Sequence, residues 1–106
     1  MTVSDILKIP DFIGETFESD RDVTGIFCCD LLSVAMARAP ENSAWVTVIG
    51  NKNAIAVATL AEVSCIVIAE GYSFDEEAVE AAKGKITLLK TPLPIFEAAQ
   101  KIGSML

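Results

Sequence analysis

The stretch from Ala44 to Ala69 constrains the fold more than any other part of the sequence. It predicts a buried strand (Ala44–Ile49), a polar loop (Gly50–Asn53), an apolar helix (Ala54–Ala61) and a second buried strand (Cys65–Ala69). Strands that are apolar throughout are typical of parallel sheets, because both faces of such a sheet are covered. The stretch therefore predicts a complete βαβ unit, and such units place ligands at the carboxyl ends of their strands.

Helical and extended patterns flank this unit on both sides. Four flanking helices are expected. Two lie before the unit, one from a Thr2–Asp5 capping box to Leu7 and one over Asp30–Ala39. Two lie after it, one from a Ser73–Glu76 capping box to a Gly84 C-cap and one from a Thr91 N-cap and Pro92 to Ile102. Strands are expected at Phe12–Glu18 and Ile86–Leu89, and Val23–Cys28 is either a short strand or an extended approach to the next helix. This alternation predicts a single α/β domain over residues 1–106, with three α/β/α layers and a mostly parallel sheet of four to five strands. Residues 1–19 supply its first helix and first strand.

Composition and charge exclude several classes of partner. The chain carries 8 Lys and Arg against 15 Asp and Glu, a formal net charge of −7. Nucleic acids and anionic membranes need clustered basic side chains, which are absent, so we expect neither partner. The amino terminus lacks the apolar core of a signal peptide, and no apolar run reaches the ~20 residues that span a bilayer, so we expect a cytoplasmic protein.

The chain lacks the residue sets that common catalytic and metal centres need. It has no histidine, and the three cysteines, Cys28, Cys29 and Cys65, contain neither a CxxC motif nor a disulfide framework. The acidic cluster around Asp75–Glu80 falls on the first turns of a helix, where it complements the helix dipole. We therefore predict no catalytic residue, no metal site and no cofactor. An enzyme that uses carboxylates or the Cys28–Cys29 pair stays open as an alternative.

The loop between the first strand and the helix of the βαβ unit is the candidate ligand site. Gly50 permits unusual backbone angles, and Asn53 is expected to cap the helix, whose free N–H groups favour an anion. Two other loops, Glu70–Tyr72 and Thr91-Pro92, reach the same edge if the strands are parallel. The alternative is a plain turn with an Asn cap, which needs no ligand.

The helix Ala54–Ala61 is apolar almost all round, so it is buried on more than one side. One side meets the sheet, and the other meets either another helix or another subunit. The apolar fraction of the chain, 52%, favours a subunit. We therefore expect a homodimer, with Ile55 or Val57 facing outward.

An ordered set of short motifs resembles a known family. These motifs are Asp20-Arg21 with Val23-Thr24-Gly25, then Asp30–Ser33, Ala44–Val48, Asn53–Ala58 and Thr91-Pro92. In this order they resemble the DRTGG domain family, from about Asp20 to the carboxyl terminus. The resemblance implies a fold similar to the amino-terminal domain of HPr kinase/phosphorylase. Family members stand alone or lie inside phosphotransacetylases and CBS-domain pyrophosphatases, where the domain looks like a regulatory or assembly module. The chain has no P-loop, so a kinase activity is not implied.

The sequence and the resemblance together predict a non-catalytic regulatory or assembly module that dimerises and modulates a protein partner. The alternative is a sensor for a small ligand such as a nucleotide or another anion. The candidate ligand-binding residues are Thr24, Gly25, Asp30, Thr47, Gly50, Asn51, Asn53, Gly71 and Thr91.

Overall fold

A computed structural model describes all 106 residues and has the predicted order of elements. The helices are α1 (Val3–Leu7), α2 (Leu32–Arg38), α3 (Lys52–Ala61), α4 (Glu76–Ala82) and α5 (Ile95–Gly103). The strands are β1 (Ile13–Thr16), β2 (Gly25–Cys28), β3 (Ser43–Thr47), β4 (Cys65–Ile68) and β5 (Thr87–Lys90). The predicted α/β class is confirmed.

The five strands form one mixed sheet in the order β1-β5-β4-β3-β2. Strands β2 to β5 run parallel to their neighbours, and only β1, which pairs with β5, is antiparallel. The expected mostly parallel sheet is therefore present, with five strands. β1 is shorter than predicted, and its register shifts between Gly14 and Thr16.

Alternate side chains of the central strands enter two separate cores, one on each face of the sheet. Trp45, Ile66 and Leu88 pack under α2, α3 and α4. Val46 and Val67 point to the opposite face, where they pack with α1 and α5. This alternation explains why the strands are apolar throughout, since neither face of the sheet is open to water.

The connections after β4 and β5 turn to opposite faces of the sheet. The helices that follow β2, β3 and β4 all pack on one face, whereas α5, which follows β5, packs on the other. Two neighbouring parallel strands whose following loops diverge in this way leave a crevice at their carboxyl ends. We call this place, between the loops after β4 and β5, the fork.

Three sides of helix α3 are covered by its own chain rather than left open for a partner. It packs against α2 on one side and α4 on the other, as well as against the sheet. Ile55 and Val57 are both buried. The prediction that one of them faces outward is therefore wrong, because the neighbouring helices provide the second apolar surface.

Three predicted helix caps fall on different residues. Asn51, not Asn53, caps α3, and its Oδ1 accepts a hydrogen bond from the Ala54 N–H at 3.1 Å. Helix α4 begins after Asp75 rather than Ser73, because the Asp75 N–H donates to the Gly50 carbonyl and keeps the chain extended. Thr91 lies before the crossing to the other face, so Pro94 occupies the N-cap position of α5.

Candidate functional site

Six of the nine predicted ligand-binding residues lie along the carboxyl edge of the parallel strands, as the topology requires. They are Asp30, Thr47, Gly50, Asn51, Gly71 and Thr91. Asn53 is on the exposed side of the first turn of α3, and Thr24 and Gly25 lie at the amino end of β2. The structure therefore does not bring Thr24 and Gly25 together with the loops at the carboxyl edge.

Asp30 and Thr47 tie the loop after β2 to the end of β3. One carboxylate oxygen of Asp30 accepts hydrogen bonds from the Thr47 hydroxyl at 2.8 Å and from the Val48 N–H at 2.9 Å. Thr47 is fully buried, and its hydroxyl oxygen also accepts a bond from the Ile49 N–H at 3.2 Å. These bonds occupy the buried side chain of Thr47 and tie the end of β3 to the loops around it.

Gly50 is needed for close packing rather than for an unusual backbone angle. Its φ is not positive, unlike those of Gly71 and Gly84. A Cβ at position 50 would lie 2.6 Å from the Ser73 carbonyl oxygen and 2.8 Å from Cδ1 of Ile68. The absence of a side chain lets the loop after β3 press against the loop after β4.

A tight turn follows β4 and forms one side of the fork. Its two central residues, Glu70 and Gly71, have φ values of 62° and 74°, and the Tyr72 N–H donates to the Ala69 carbonyl at 3.1 Å. Two successive positive φ angles are typical of a type I′ turn. A glutamate rarely adopts this conformation, which costs about 1 kcal/mol or more without a compensating contact.

Glu70 gains that contact by reaching across the fork. Its carboxylate accepts a hydrogen bond from the Ile95 N–H, in the first turn of α5, at 2.8 Å. Backbone bonds join the same two loops, from the Glu70 N–H to the Leu93 carbonyl at 2.8 Å and from the Gly71 N–H to the Thr91 carbonyl at 3.2 Å. The fork is therefore held at a fixed width by the chain itself.

An open cleft of about 310 Å³ lies at the fork. It is lined by Ile13, Gly71, Tyr72, Ser73, Lys90, Thr91 and Pro92. Tyr72 and Ile13 are 57% and 55% exposed, so both side chains are accessible to a molecule that enters the cleft. The lining includes an aromatic ring, an isoleucine and a proline together with hydroxyl groups and a lysine, so it combines apolar surface with a few polar groups, as ligand sites do.

Lys90 is the only basic side chain that lines the cleft, and a carboxylate lies beside it. Its Nζ is 3.5 Å from Oε2 of Glu15, on the neighbouring strand β1. Both side chains are partly exposed, so water screens the pair and it contributes little to stability. An anionic group of a ligand would compete with Glu15 for Lys90.

Sequence reasoning found Gly71 and Thr91 but missed the other five lining residues. The loops Glu70–Tyr72 and Thr91-Pro92 were recognised at the correct edge, so Tyr72 and Pro92 could have been named from their neighbours. Ile13 carries no such signal, because it reaches the cleft through the antiparallel pairing of β1 with β5. That pairing joins distant parts of the chain and leaves no local pattern.

The residues of the motif around Arg21 form a network at the amino edge of the sheet. The Arg21 guanidinium donates to the carbonyls of Val63 and Glu62 at 2.9 and 3.0 Å, and to Oδ1 of Asn42 at 2.9 Å. The Thr24 N–H donates to the Asn42 carbonyl at 2.9 Å. These bonds hold together the loops that enter β2, β3 and β4.

Two of the three thiols, those of Cys28 and Cys65, lie in surroundings that disfavour the thiolate. Burial and the nearby Asp30 carboxylate raise the pKa of Cys28, and complete burial raises the pKa of Cys65 to about 12. A nucleophilic cysteine needs the opposite shift. Cys29 donates from its thiol to the Leu31 carbonyl at 3.4 Å and packs against the core under α2.

No group of three or more Cys, Asp and Glu side chains is arranged to hold a metal ion. None of the helices combines the length and the apolar character that a membrane crossing requires. Comparison with protein-family models and with curated proteins yields no match to this chain.

Proposed function

We propose that this protein is a non-catalytic regulatory domain that binds a small ligand in the cleft at the fork and modulates a protein partner. The observation that carries the proposal is the cleft itself. It lies at the point where the connections of neighbouring parallel strands diverge, and its width is set by Glu70 and the backbone bonds around it. The resemblance to the DRTGG domain family supports the regulatory role, and we propose that the domain acts as a homodimer.

The lining favours a ligand with one flat apolar part and one acceptor or anionic group. Tyr72 and Pro92 offer faces against which a planar ring can stack, while Lys90 and the Ser73 hydroxyl are positioned to meet an anion or an acceptor. A nucleotide has both parts. The three free thiols suit the cytoplasm, where they remain reduced.

A regulatory role suits the chemistry of the domain better than catalysis does. Neither Cys28 nor Cys65 has the lowered pKa of a nucleophile, and the cleft is lined by one lysine with no other titratable group except the Tyr72 phenol. General acid–base catalysis needs a group whose pKa lies near the working pH, together with an oriented partner. The residues that line the cleft include no histidine and no carboxylate, the side chains that most often take this role, so binding without turnover is the better proposal.

The proposal predicts a thermal shift that depends on the fork and not on α3. Nucleotides, acyl phosphates and inorganic phosphate are the probes. A ligand at 100 times its Kd adds about 2.7 kcal/mol, which raises the Tm of a domain of this size by roughly ten degrees. Tyr72→Ala, at an exposed position, is expected to reduce that shift without altering the Tm of the free protein by more than a few degrees.

Asn53→Ala is the matched control, since Asn53 is exposed on α3 and does not line the cleft. Glu15→Gln frees Lys90 and is expected to tighten the binding of anionic probes about threefold, which is the scale of a surface ion pair. A shift that disappears in Asn53→Ala and survives in Tyr72→Ala would contradict the assignment of the site. No shift with any probe would contradict the proposal for these ligand classes.

A further inference from the structure

The two edges of the sheet are protected very differently. β1 carries a register shift and places Glu15 beside Lys90, and both features discourage another strand from pairing with it. β2 consists of Gly25, Ile26, Phe27 and Cys28, which include no charged residue and no proline. It pairs only with β3, in a regular register without a bulge. Apart from the segment Met1–Val3, which pairs with Arg21–Val23 just before β2, nothing in the chain pairs with the outer side of this strand.

Helix α2 forms the outer flank of this open edge. Among the three helices on its face, it packs against α3 and has no helix on its other side. Leu31 and Val34, one turn apart, are 60% and 38% exposed. The β2 strand and the exposed surface of α2 both present apolar groups.

The charges at the two ends of α2 are opposite, and neither has an ion-pair partner within the chain. Asp30, just before the helix, uses one carboxylate oxygen for Thr47 and Val48 and leaves Oδ2 without a partner. Arg38, in the last turn, makes no ion pair and no side-chain hydrogen bond. Val34 lies midway between them in the sequence.

We propose that this flank is a homodimer interface in which two copies of the chain pair their β2 strands antiparallel about a two-fold axis. The axis is perpendicular to the sheet, so the ten strands form one continuous sheet. The two copies of α2 then lie side by side on one face and run in opposite directions. Arg38 meets Asp30 of the partner subunit, and Val34 meets its own symmetry mate.

A second copy is the occupant that the charges favour. An antiparallel arrangement aligns the basic end of one α2 with the acidic end of the other, and the two-fold axis provides this match twice. Two chains that each carry a charge of −7 repel one another except where the contact surface is uncharged or complementary. This inference rests on the assembly part of the proposed function and names the surface that performs it.

The test is the mass of the protein in solution as a function of concentration, measured by sedimentation on the intact chain. Wild type is expected to be a dimer. Val34→Lys is expected to weaken association about 100-fold, because each dimer loses two central apolar contacts and gains two facing lysines. Arg38→Glu is expected to weaken it about tenfold, because both Arg38–Asp30 pairs become repulsive.

Leu60→Lys is the matched control. Leu60 is 70% exposed on α3, on the same face of the sheet but away from the β2 edge. Its substitution is expected to leave the dimer intact. A monomeric wild type, a Val34→Lys protein that remains a dimer, or equal losses in Val34→Lys and Leu60→Lys would each overturn the proposal.

The monomeric Val34→Lys protein also separates this inference from the ligand proposal. Position 34 does not line the fork, so the variant is expected to keep its thermal shift with the nucleotide and phosphate probes. A dimer that binds no probe would reject the ligand site and leave the interface. A monomeric wild type that binds a probe would reject the interface and leave the ligand site.

Discussion

The two ends of the sheet use polar residues for opposite purposes. At the amino end, the side chains of Arg21 and Asn42 form their hydrogen bonds within the chain, and neither residue lines a cleft. At the carboxyl end, Glu70 and backbone bonds fix the spacing of two loops, and Tyr72 and Lys90 line the cleft beside them. Polar residues at a loop cluster therefore do not identify a site until their bonds are traced.

The largest expected difference in the free energy of unfolding is between substitutions of two glycines, Gly50 at the carboxyl end of the sheet and Gly25 at the amino end. Gly50→Ala is expected to destabilise the fold by about 3 kcal/mol, because the new Cβ meets the Ser73 carbonyl and Ile68 at distances that require the backbone to move. For a domain of this size the loss lowers the Tm by roughly 10–20 °C. The measurement is denaturant unfolding together with a thermal melt.

Gly25→Ala is the matched control at the amino end. No atom lies within 4 Å of a Cβ placed at position 25, and its φ is not positive. The substitution is expected to change the free energy of unfolding by less than about 1 kcal/mol, in the stabilising direction, because alanine loses less backbone entropy on folding. Equal losses at the two positions would refute the contrast between the two ends.

Arg21→Ala is expected to have the next largest effect, a loss of about 2–3 kcal/mol. The substitution leaves the Val63 and Glu62 carbonyls and the Asn42 amide without their donor. Arg21→Lys is expected to recover only part of the loss, since an ammonium group lacks the planar, branched guanidinium that donates to several acceptors at once. Denaturant unfolding of the three proteins gives the comparison.

The same variant tests whether the motif around Arg21 binds a ligand. If its role is structural, Arg21→Ala keeps the affinity for any probe that binds at the fork, at temperatures where the variant is folded. Unchanged stability with a loss of binding would instead make Arg21 a ligand-binding residue and reverse the comparison between the two ends.

The overall fold could be predicted because its signals are local. A strand that is apolar at every position, such as Cys65–Ile68, indicates both a strand and its burial between two cores, one on each face of the sheet. The helical spacing on either side of such strands indicates the helices. The helix Ala54–Ala61 shows the limit of this reasoning. The pattern predicts burial on more than one side, and the structure has it. A pattern along one helix does not say whether the second apolar surface comes from neighbouring helices, here α2 and α4, or from a second chain.

The site was predicted only in part for a related reason. The parallel order places Gly71 and Thr91 at one edge, and the sequence is sufficient for that step. The divergence of the loops after β4 and β5, which opens the cleft, depends on which face α5 covers. That choice is made by packing between residues far apart in the chain, such as Val46 with Ile102, and local patterns do not record it.

The smallest expected effect is a dependence on pH at the amino end. Asp20 is exposed and accepts a hydrogen bond from the Ser4 N–H at 2.8 Å, and this bond holds the pKa of Asp20 below its ordinary value of 3.8. A carboxyl group with a lowered pKa stabilises the folded chain above its unfolded pKa, and that stabilisation is lost as the pH falls through the folded value. The Tm of wild type should therefore exceed that of Asp20→Asn at neutral pH, and the difference should shrink below about pH 4.

Glu41→Gln removes one negative charge in the same way and controls for the net charge of the chain. Glu41 is exposed and its carboxylate accepts no hydrogen bond in the chain, so its effect on Tm reports only the change in overall repulsion. If the curve of Asp20→Asn against pH parallels that of Glu41→Gln, the bond to Ser4 does not stabilise the fold. If the two curves differ, the hydrogen bond from Ser4 to Asp20 stabilises the fold. The polar groups at the amino end of the sheet, Asp20 as well as Arg21, then serve to hold the chain together.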